Sequence, residues 1–191
     1  VWACCSVLAS GADTRLADAV EANSIEQIEV AIASGADLNG SQIDGMTALH
    51  WACYHDSTEL AGRLIDLGAD VNARNRYGVS PLYLASLNGN KKIVTRMLAE
   101  SVDPNTAING GESALMTAAR TGSLGSVRAL INAGADLDAM ERNGQTAIMW
   151  AAHEGHADVT RLLLESGADY ETPLDSGSVS YTHLTLPTRY R

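Results

Sequence analysis

The stretch LIDLGADVNA, from Leu64 to Ala73, decides the fold because close copies of it recur along the chain. The copies are AIASGADLNG (31–40), LINAGADLDA (130–139) and LLLESGADYE (162–171). Their turn glycines stand 33 residues apart, or twice that distance, at Gly35, Gly68, Gly134 and Gly167. A fixed period of this size predicts a solenoid of stacked units, each packed on its neighbours.

Two further series of residues follow the same period. One consists of glycines alone, at Gly45, Gly78, Gly111, Gly144 and Gly177. The other is expected to end a helix in each unit, at Asn23, Asp56, Gly89, Gly122 and Gly155. Together the three series predict five units between residues 13 and 177, divided as 13–44, 45–77, 78–110, 111–143 and 144–177.

Each unit is expected to contain two short helices. The first follows a Ser or Thr whose hydroxyl can cap the free amide groups of the helix, at Thr47, Ser80, Ser113 and Thr146. A second apolar run with helical spacing, such as LAGRLIDL (60–67), ends at the glycine of the GAD turn. In the third unit Ser101 replaces this glycine and Val102 replaces the alanine, and we expect both changes to weaken the turn.

The units resemble ankyrin repeats, in TALHWAC (47–53) and in the GADVNA and GADLN turns. The resemblance covers residues 13–177 and implies an all-α solenoid of helix–turn–helix units with β-turn fingers. The first unit reads TRLADAVEANS (14–24) without the Thr-x-Leu-His segment, so it resembles an N-terminal cap. Of the motif histidines only His50 is present, which puts a bracing imidazole in doubt in the third, fourth and fifth units.

The two ends of the chain follow no repeat. Residues 1–12, VWACCSVLASGA, predict the back half of a secretory signal peptide; the alternative is a buried segment covering the first unit. The stretch VSYTHLTLPT (179–188) resembles the translation of a sequencing adapter, so residues 178–191 are expected to be non-native or a disordered tail. These features predict a fragment of an exported protein, secreted or in the bacterial periplasm. Without a signal peptide the protein would be cytoplasmic.

The composition is acidic and restricts the class of partner. Lys and Arg total 13 against 23 Asp and Glu, which gives a formal net charge of −10. Such a surface repels phosphate backbones, which excludes nucleic acid and favours a basic protein as partner. No segment is long and apolar enough for membrane insertion. We expect a monomer.

Two short motifs are compatible with catalysis, but each has a simpler interpretation. HEGH (153–156) resembles part of a zinc-protease helix, yet its histidines are three residues apart rather than four, and Gly155 is expected to end the helix. Cys53 lies near His50 and His55, but the other units carry small residues at its position, which predicts a buried slot rather than a reactive thiol. We therefore expect no enzyme activity, no metal and no cofactor.

The positions that vary between units predict the binding surface. In ankyrin-like units the resemblance places a concave face on the turn tips and on the exposed end of the first helix. The expected contact residues are Tyr54, His55, Arg76, Tyr77, Leu87, Arg120, Arg142 and His153. Tyr and Arg are residue types that anchor interfaces. Trp51 and Trp150 are instead expected to be half-buried packing residues.

The resemblance implies a protein–protein interaction module or scaffold that holds a partner protein on its concave face. The alternative is the regulatory or substrate-binding portion of a larger enzyme, with a catalytic domain beyond Gly177.

Overall fold

The computed structural model describes residues 13–170. The predicted signal peptide at 1–12 and the predicted tail at 178–191 lie outside these residues. The described range contains ten α-helices and no extended strand: α1 Arg15–Glu21, α2 Ile25–Ala33, α3 Ala48–Tyr54, α4 Thr58–Asp66, α5 Pro81–Leu87, α6 Lys91–Ala99, α7 Ala114–Arg120, α8 Leu124–Asn132, α9 Ala147–His153 and α10 Ala157–Glu165.

The helices pack in pairs that stack along one direction. Each odd-numbered helix packs on the even-numbered helix that follows it, and also on the next odd-numbered helix. The even-numbered helices α4, α6, α8 and α10 likewise pack in succession. Contacts confined to neighbouring units are the mark of a solenoid, so the predicted all-α solenoid is confirmed. The division of 13–177 into five units stays a prediction.

Left-handed residues end the helices where the sequence predicts them. Asn23 and Asp56 have φ angles of 50° and 56°, and every described glycine of the three periodic series has a positive φ. At Ser101 φ is 60°, so the third unit keeps the turn despite the loss of glycine.

Three of the four predicted helix caps are present. The hydroxyl oxygens of Thr47, Ser80 and Ser113 each accept a hydrogen bond from the backbone amide three residues later. Thr146 makes no such bond, contrary to expectation, and its Oγ1 is buried with no partner among the described residues. Nothing in the structure explains this difference.

The core is built from aliphatic residues between the two layers of helices. Its largest fully buried side chains include Leu49, Leu82, Leu115 and Leu163. Cys53 is buried in the same core, and burial raises the pKa of its thiol, as expected for a structural slot. No described helix has the length and hydropathy needed to cross a membrane.

Candidate functional site

The loops between successive helix pairs form a row of fingers joined by backbone hydrogen bonds. The amide of Arg76 donates to the carbonyl of Asp44 at 2.9 Å, and the amide of Asn109 donates to that of Tyr77 at 3.0 Å. The amide of Arg142 donates to Gly110 in the same way, at 3.0 Å. These bonds fix the four finger tips, 42–46, 75–79, 108–112 and 141–145, relative to one another.

The finger tips pack so closely that a glycine is required between them. A Cβ built on Gly45 would lie 2.9 Å from the Cα of Asn75 in the next finger. The φ of Gly45 is also 89°, a conformation that other residues enter at a cost. Close packing and backbone bonding make the row of tips a preorganised platform.

The eight predicted contact residues lie on two neighbouring features of this platform. Tyr54, Leu87, Arg120 and His153 are the last residues of α3, α5, α7 and α9, and His55 follows α3. Arg76, Tyr77 and Arg142 lie on the finger tips. We call the finger tips and the C-terminal ends of the odd-numbered helices the finger–helix surface. It corresponds to the predicted concave face, and its part in binding stays a prediction.

An aromatic cluster occupies this surface at the end of α3. The rings of Trp51 and Tyr54 meet edge to face with centroids 5.6 Å apart, and His55 stacks on Trp51 at 6.0 Å. Tyr54 remains 54% exposed. The indole Nε1 of Trp51 donates to Oε1 of Gln42 at 2.9 Å, which fixes the orientation of the ring.

Two carboxylates of α1 adjoin this aromatic cluster. The amide nitrogen of Gln42 donates to Asp18 at 2.8 Å and to Glu21 at 2.5 Å. The hydroxyl of Thr14 donates to the other oxygen of Asp18, at 2.8 Å. Neither carboxylate forms an ion pair with a described residue, so neutral donors alone hold both negative charges in place.

A second cluster lies at the ends of α7 and α9. The guanidinium of Arg120 pairs with Glu112 at 3.1 Å and lies 5.8 Å from the ring centroid of Trp150. The hydroxyl of Thr117 also donates to Glu112, at 2.9 Å. His153 meets Trp150 edge to face at 6.4 Å. Here the aromatic ring, the cation and the carboxylate all belong to the chain itself.

Tyr83 borders the second cluster from the third unit. Burial raises the pKa of its phenol, and the neighbouring carboxylate of Glu112 raises it further. Tyr83 therefore remains protonated at neutral pH.

The predicted contact residues differ in how free their side chains are. The guanidinium of Arg76 donates to the carbonyl of Ile43, and Arg120 is held by Glu112, so both connect neighbouring parts of the fold. The side chains of Tyr77 and Arg142 are exposed and hydrogen-bond to no described residue. These two are the residues best placed to contact a partner.

The sequence pattern did not indicate Asp18, Glu21 or Gln42 as residues of the site. The signal that could have found Gln42 is its spacing, since each finger folds back on the helix that follows it in the chain. Gln42 precedes Trp51 by nine residues and Glu112 precedes Arg120 by eight, and both pairs are in contact. Trp51 and Trp150 are half-buried as predicted, but each also forms part of a surface cluster.

The histidines of HEGH take part in the fold. Helix α9 ends at His153, and Nε2 of His156 lies 2.9 Å from the carbonyl oxygen of Arg120 in the preceding unit. Within residues 13–170, no group of three or more His, Cys, Asp and Glu side chains is arranged to hold a metal ion.

Comparison with known proteins gives one family match. The family model for ankyrin repeats (3 copies) matches residues 16–108 and, in a second overlapping match, residues 93–173. No curated protein matches the chain.

Proposed function

Because this chain belongs to the ankyrin-repeat family, we propose that it is a scaffold module that holds a partner protein on its finger–helix surface. Ankyrin repeats are in general protein–protein interaction modules. The observation that supports this surface most directly is the pair Tyr77 and Arg142. These are two interface-prone side chains at fixed finger tips, and neither hydrogen-bonds to another residue within 13–170.

The rigidity of the platform supports the same proposal. Backbone hydrogen bonds between fingers hold the tips before any partner arrives. A surface that is already ordered loses less conformational entropy on binding. The variable side chains can then differ from unit to unit without disturbing the framework that carries them.

The net charge of −10 supports a basic partner. We also propose that the protein acts as a monomer and without catalysis. Export to the periplasm or the medium rests on the apolar run at 1–12 alone, with the cytoplasm as the alternative. A role as the regulatory part of a larger enzyme remains a second prediction.

The test replaces the two free side chains together. We expect the Tyr77→Ala/Arg142→Ala variant to capture at least ten-fold less partner protein than the wild-type chain. The amount is measured by quantitative mass spectrometry after affinity capture. The circular dichroism and melting temperature of the variant should stay unchanged, because neither side chain hydrogen-bonds to any residue that the structure describes. Arg120→Ala is a poorer test, since it would leave Glu112 half-buried without its ion pair.

The matched control removes the same residue types elsewhere. Arg128 on α8 and Tyr170 are exposed and lie off the finger–helix surface. The Arg128→Ala/Tyr170→Ala variant should retain full capture. Equal capture by both double variants and the wild type would show that the finger tips do not bind the partner.

A further inference from the structure

We propose that Asp18, Glu21, Trp51 and Tyr54 form a subsite for a lysine or arginine side chain of the partner. This inference rests on the proposed function and specifies the chemistry of one contact on the same surface.

The charge at this place favours a cation from outside the chain. Asp18 and Glu21 stand one turn apart on α1, and both accept from the single neutral amide of Gln42. Some other helix carboxylates do have a guanidinium partner: Glu29 pairs with Arg63, and Asp66 pairs with Arg96. Asp18 and Glu21 differ from these in being adjacent to each other without such a partner among the described residues. Two adjacent carboxylates that are held only by neutral donors attract a cationic ligand more strongly than they attract a neutral one.

The nearby cations of the chain are engaged elsewhere. Arg15 pairs with Asp13 at 2.7 Å, and the guanidinium of Arg76 donates to the carbonyl of Ile43. Nε2 of His55 lies 3.1 Å from the backbone carbonyl oxygen of Glu21, so the imidazole contacts the backbone of Glu21 and not its side chain. None of these groups forms an ion pair with Asp18 or Glu21.

The aromatic side of the subsite is suited to the same ligand. A Lys or Arg head group is attracted to the face of Trp or Tyr, and its methylene stem packs on the ring. The hydrogen bond from Trp51 to Gln42 ties the ring to the amide that also holds the two carboxylates. One glutamine therefore orients both the aromatic and the acidic part of the subsite.

The chain shows the proposed arrangement at an equivalent position. Trp150 lies three repeat periods after Trp51, and Arg120 lies three periods after Glu21. In the later units Arg120 sits over Trp150 and pairs with Glu112. At the position of Arg120 the first unit has the acid Glu21, and the second unit has Tyr54. The cation for Trp51 must then come from the partner.

The experiment titrates the full isotope-labelled chain with three short peptides. Each has the form acetyl-Gly-Gly-X-Gly-Gly-amide, where X is lysine, arginine or norleucine. We expect the lysine and arginine peptides to shift the indole N–H resonance of Trp51 saturably and to leave that of Trp150 unchanged. Norleucine has a similar stem without charge and should cause no shift. Assignment uses the resonance lost in Trp51→Phe.

The variant Asp18→Asn/Glu21→Gln keeps the shape of both side chains and their ability to accept from Gln42. It should weaken binding of the lysine peptide at least ten-fold. The control Glu26→Gln/Glu59→Gln removes the same net charge from exposed positions on α2 and α4, and should change the affinity less than two-fold.

Three results would overturn the subsite: equal binding of the norleucine peptide, equal weakening in both double variants, or no shift of Trp51 with any peptide. The proposed function is tested separately. If Asp18→Asn/Glu21→Gln retains the partner that Tyr77→Ala/Arg142→Ala loses, the subsite is wrong and the partner surface stands.

Discussion

Ser101 holds a left-handed backbone, with a φ of 60°, at a position where the other units have glycine. A Cβ in this region costs about 1 kcal/mol relative to glycine. The neighbouring Val102 is different, because only 4% of it is exposed and it belongs to the core. Its extra methyl groups are buried where other units bury an alanine, which favours Val102 in the core, and its effect on the turn stays a prediction.

We predict that Ser101→Gly raises the melting temperature of the full chain by roughly 2–4 °C, the shift that about 1 kcal/mol gives in a chain of this size. Ser101→Ala should give no such gain, because it removes the hydroxyl and keeps the Cβ.

Val102→Ala should lower the free energy of unfolding by about 1.5–2 kcal/mol through the loss of buried methyl groups. Thermal melts followed by circular dichroism check all three, and destabilisation by Ser101→Gly would contradict the strain argument.

These residues also show what the sequence can and cannot predict. A left-handed turn restricts one residue, so glycine, Asn or Asp marks it directly in the sequence. The contact of Gln42 with Asp18, Glu21 and Trp51 depends on how a finger folds against two helices. In the sequence, this contact is indicated only by the spacing between the finger and the helix. The spacing occurs in one unit only, so it does not stand out as a repeated pattern. The fold was therefore predictable in outline, and the clusters on its surface were not.

At the scale of the elements, His50 joins α3 to the finger of the next unit. Its Nδ1 faces the backbone amide of Thr47 at 3.2 Å, and its Nε2 lies 3.0 Å from the carbonyl oxygen of Val79. An amide can only donate and a carbonyl can only accept, so both contacts are satisfied when Nε2 carries the proton and Nδ1 accepts. This is the neutral ring. Burial lowers the pKa of His50, which favours the neutral ring over the charged one.

The lowered pKa predicts how stability depends on pH. In the unfolded chain His50 takes up a proton near its ordinary pKa of 6.5, whereas the folded protein binds that proton only at lower pH. The contribution of the neutral ring is thus fully present above pH 6.5 and is lost as the pH falls toward the folded pKa. We expect the wild-type melting temperature to fall between pH 7.5 and 5.5, and the fall to be smaller in His50→Gln.

The control for this prediction is Tyr83→Phe, which changes the residue at the same position of the next unit. Because the pKa of Tyr83 is raised from an already high value, its phenol does not titrate between pH 5.5 and 7.5. The substitution should displace the melting temperature by the same amount at both pH values. A wild-type pH dependence that survives intact in His50→Gln would assign it to other groups.

Across the whole molecule the connections between helix pairs are uneven. The second and third pairs are joined by His50 to Val79, by Asn88 to the carbonyl of Cys53 at 2.8 Å, and by the ion pair of Asp66 with Arg96. The fifth pair, α9 and α10, lacks two stabilising features of the second pair, α3 and α4. Its first helix begins without a side-chain cap, and Met149 stands where His50 braces α3.

Two buried polar atoms weaken the fifth helix pair further. Oγ1 of Thr146 and Nε1 of Trp150 have no hydrogen-bond partner among residues 13–170. Each such atom costs about 1–3 kcal/mol of desolvation that a hydrogen bond would offset. In the second pair the equivalent atoms are satisfied, since Thr47 contacts His50 and Trp51 donates to Gln42.

We therefore predict that α9 opens at a lower free energy than α3, as expected for a solenoid whose stability is a sum of unit and interface terms. Native-state hydrogen exchange resolved by residue measures both helices in one sample.

Thr146→Val should slow the exchange of α9 amides about five- to ten-fold. A methyl group then replaces a hydroxyl that has no partner among the described residues, a gain of about 1 kcal/mol. Thr47→Val, at the same position of the second unit, should have the opposite effect on α3 because it removes a cap and the contact with His50. Protection of α9 equal to that of α3, together with faster exchange in Thr146→Val, would mean that the hydroxyl is bonded in solution and that the fifth pair is no weaker than the second.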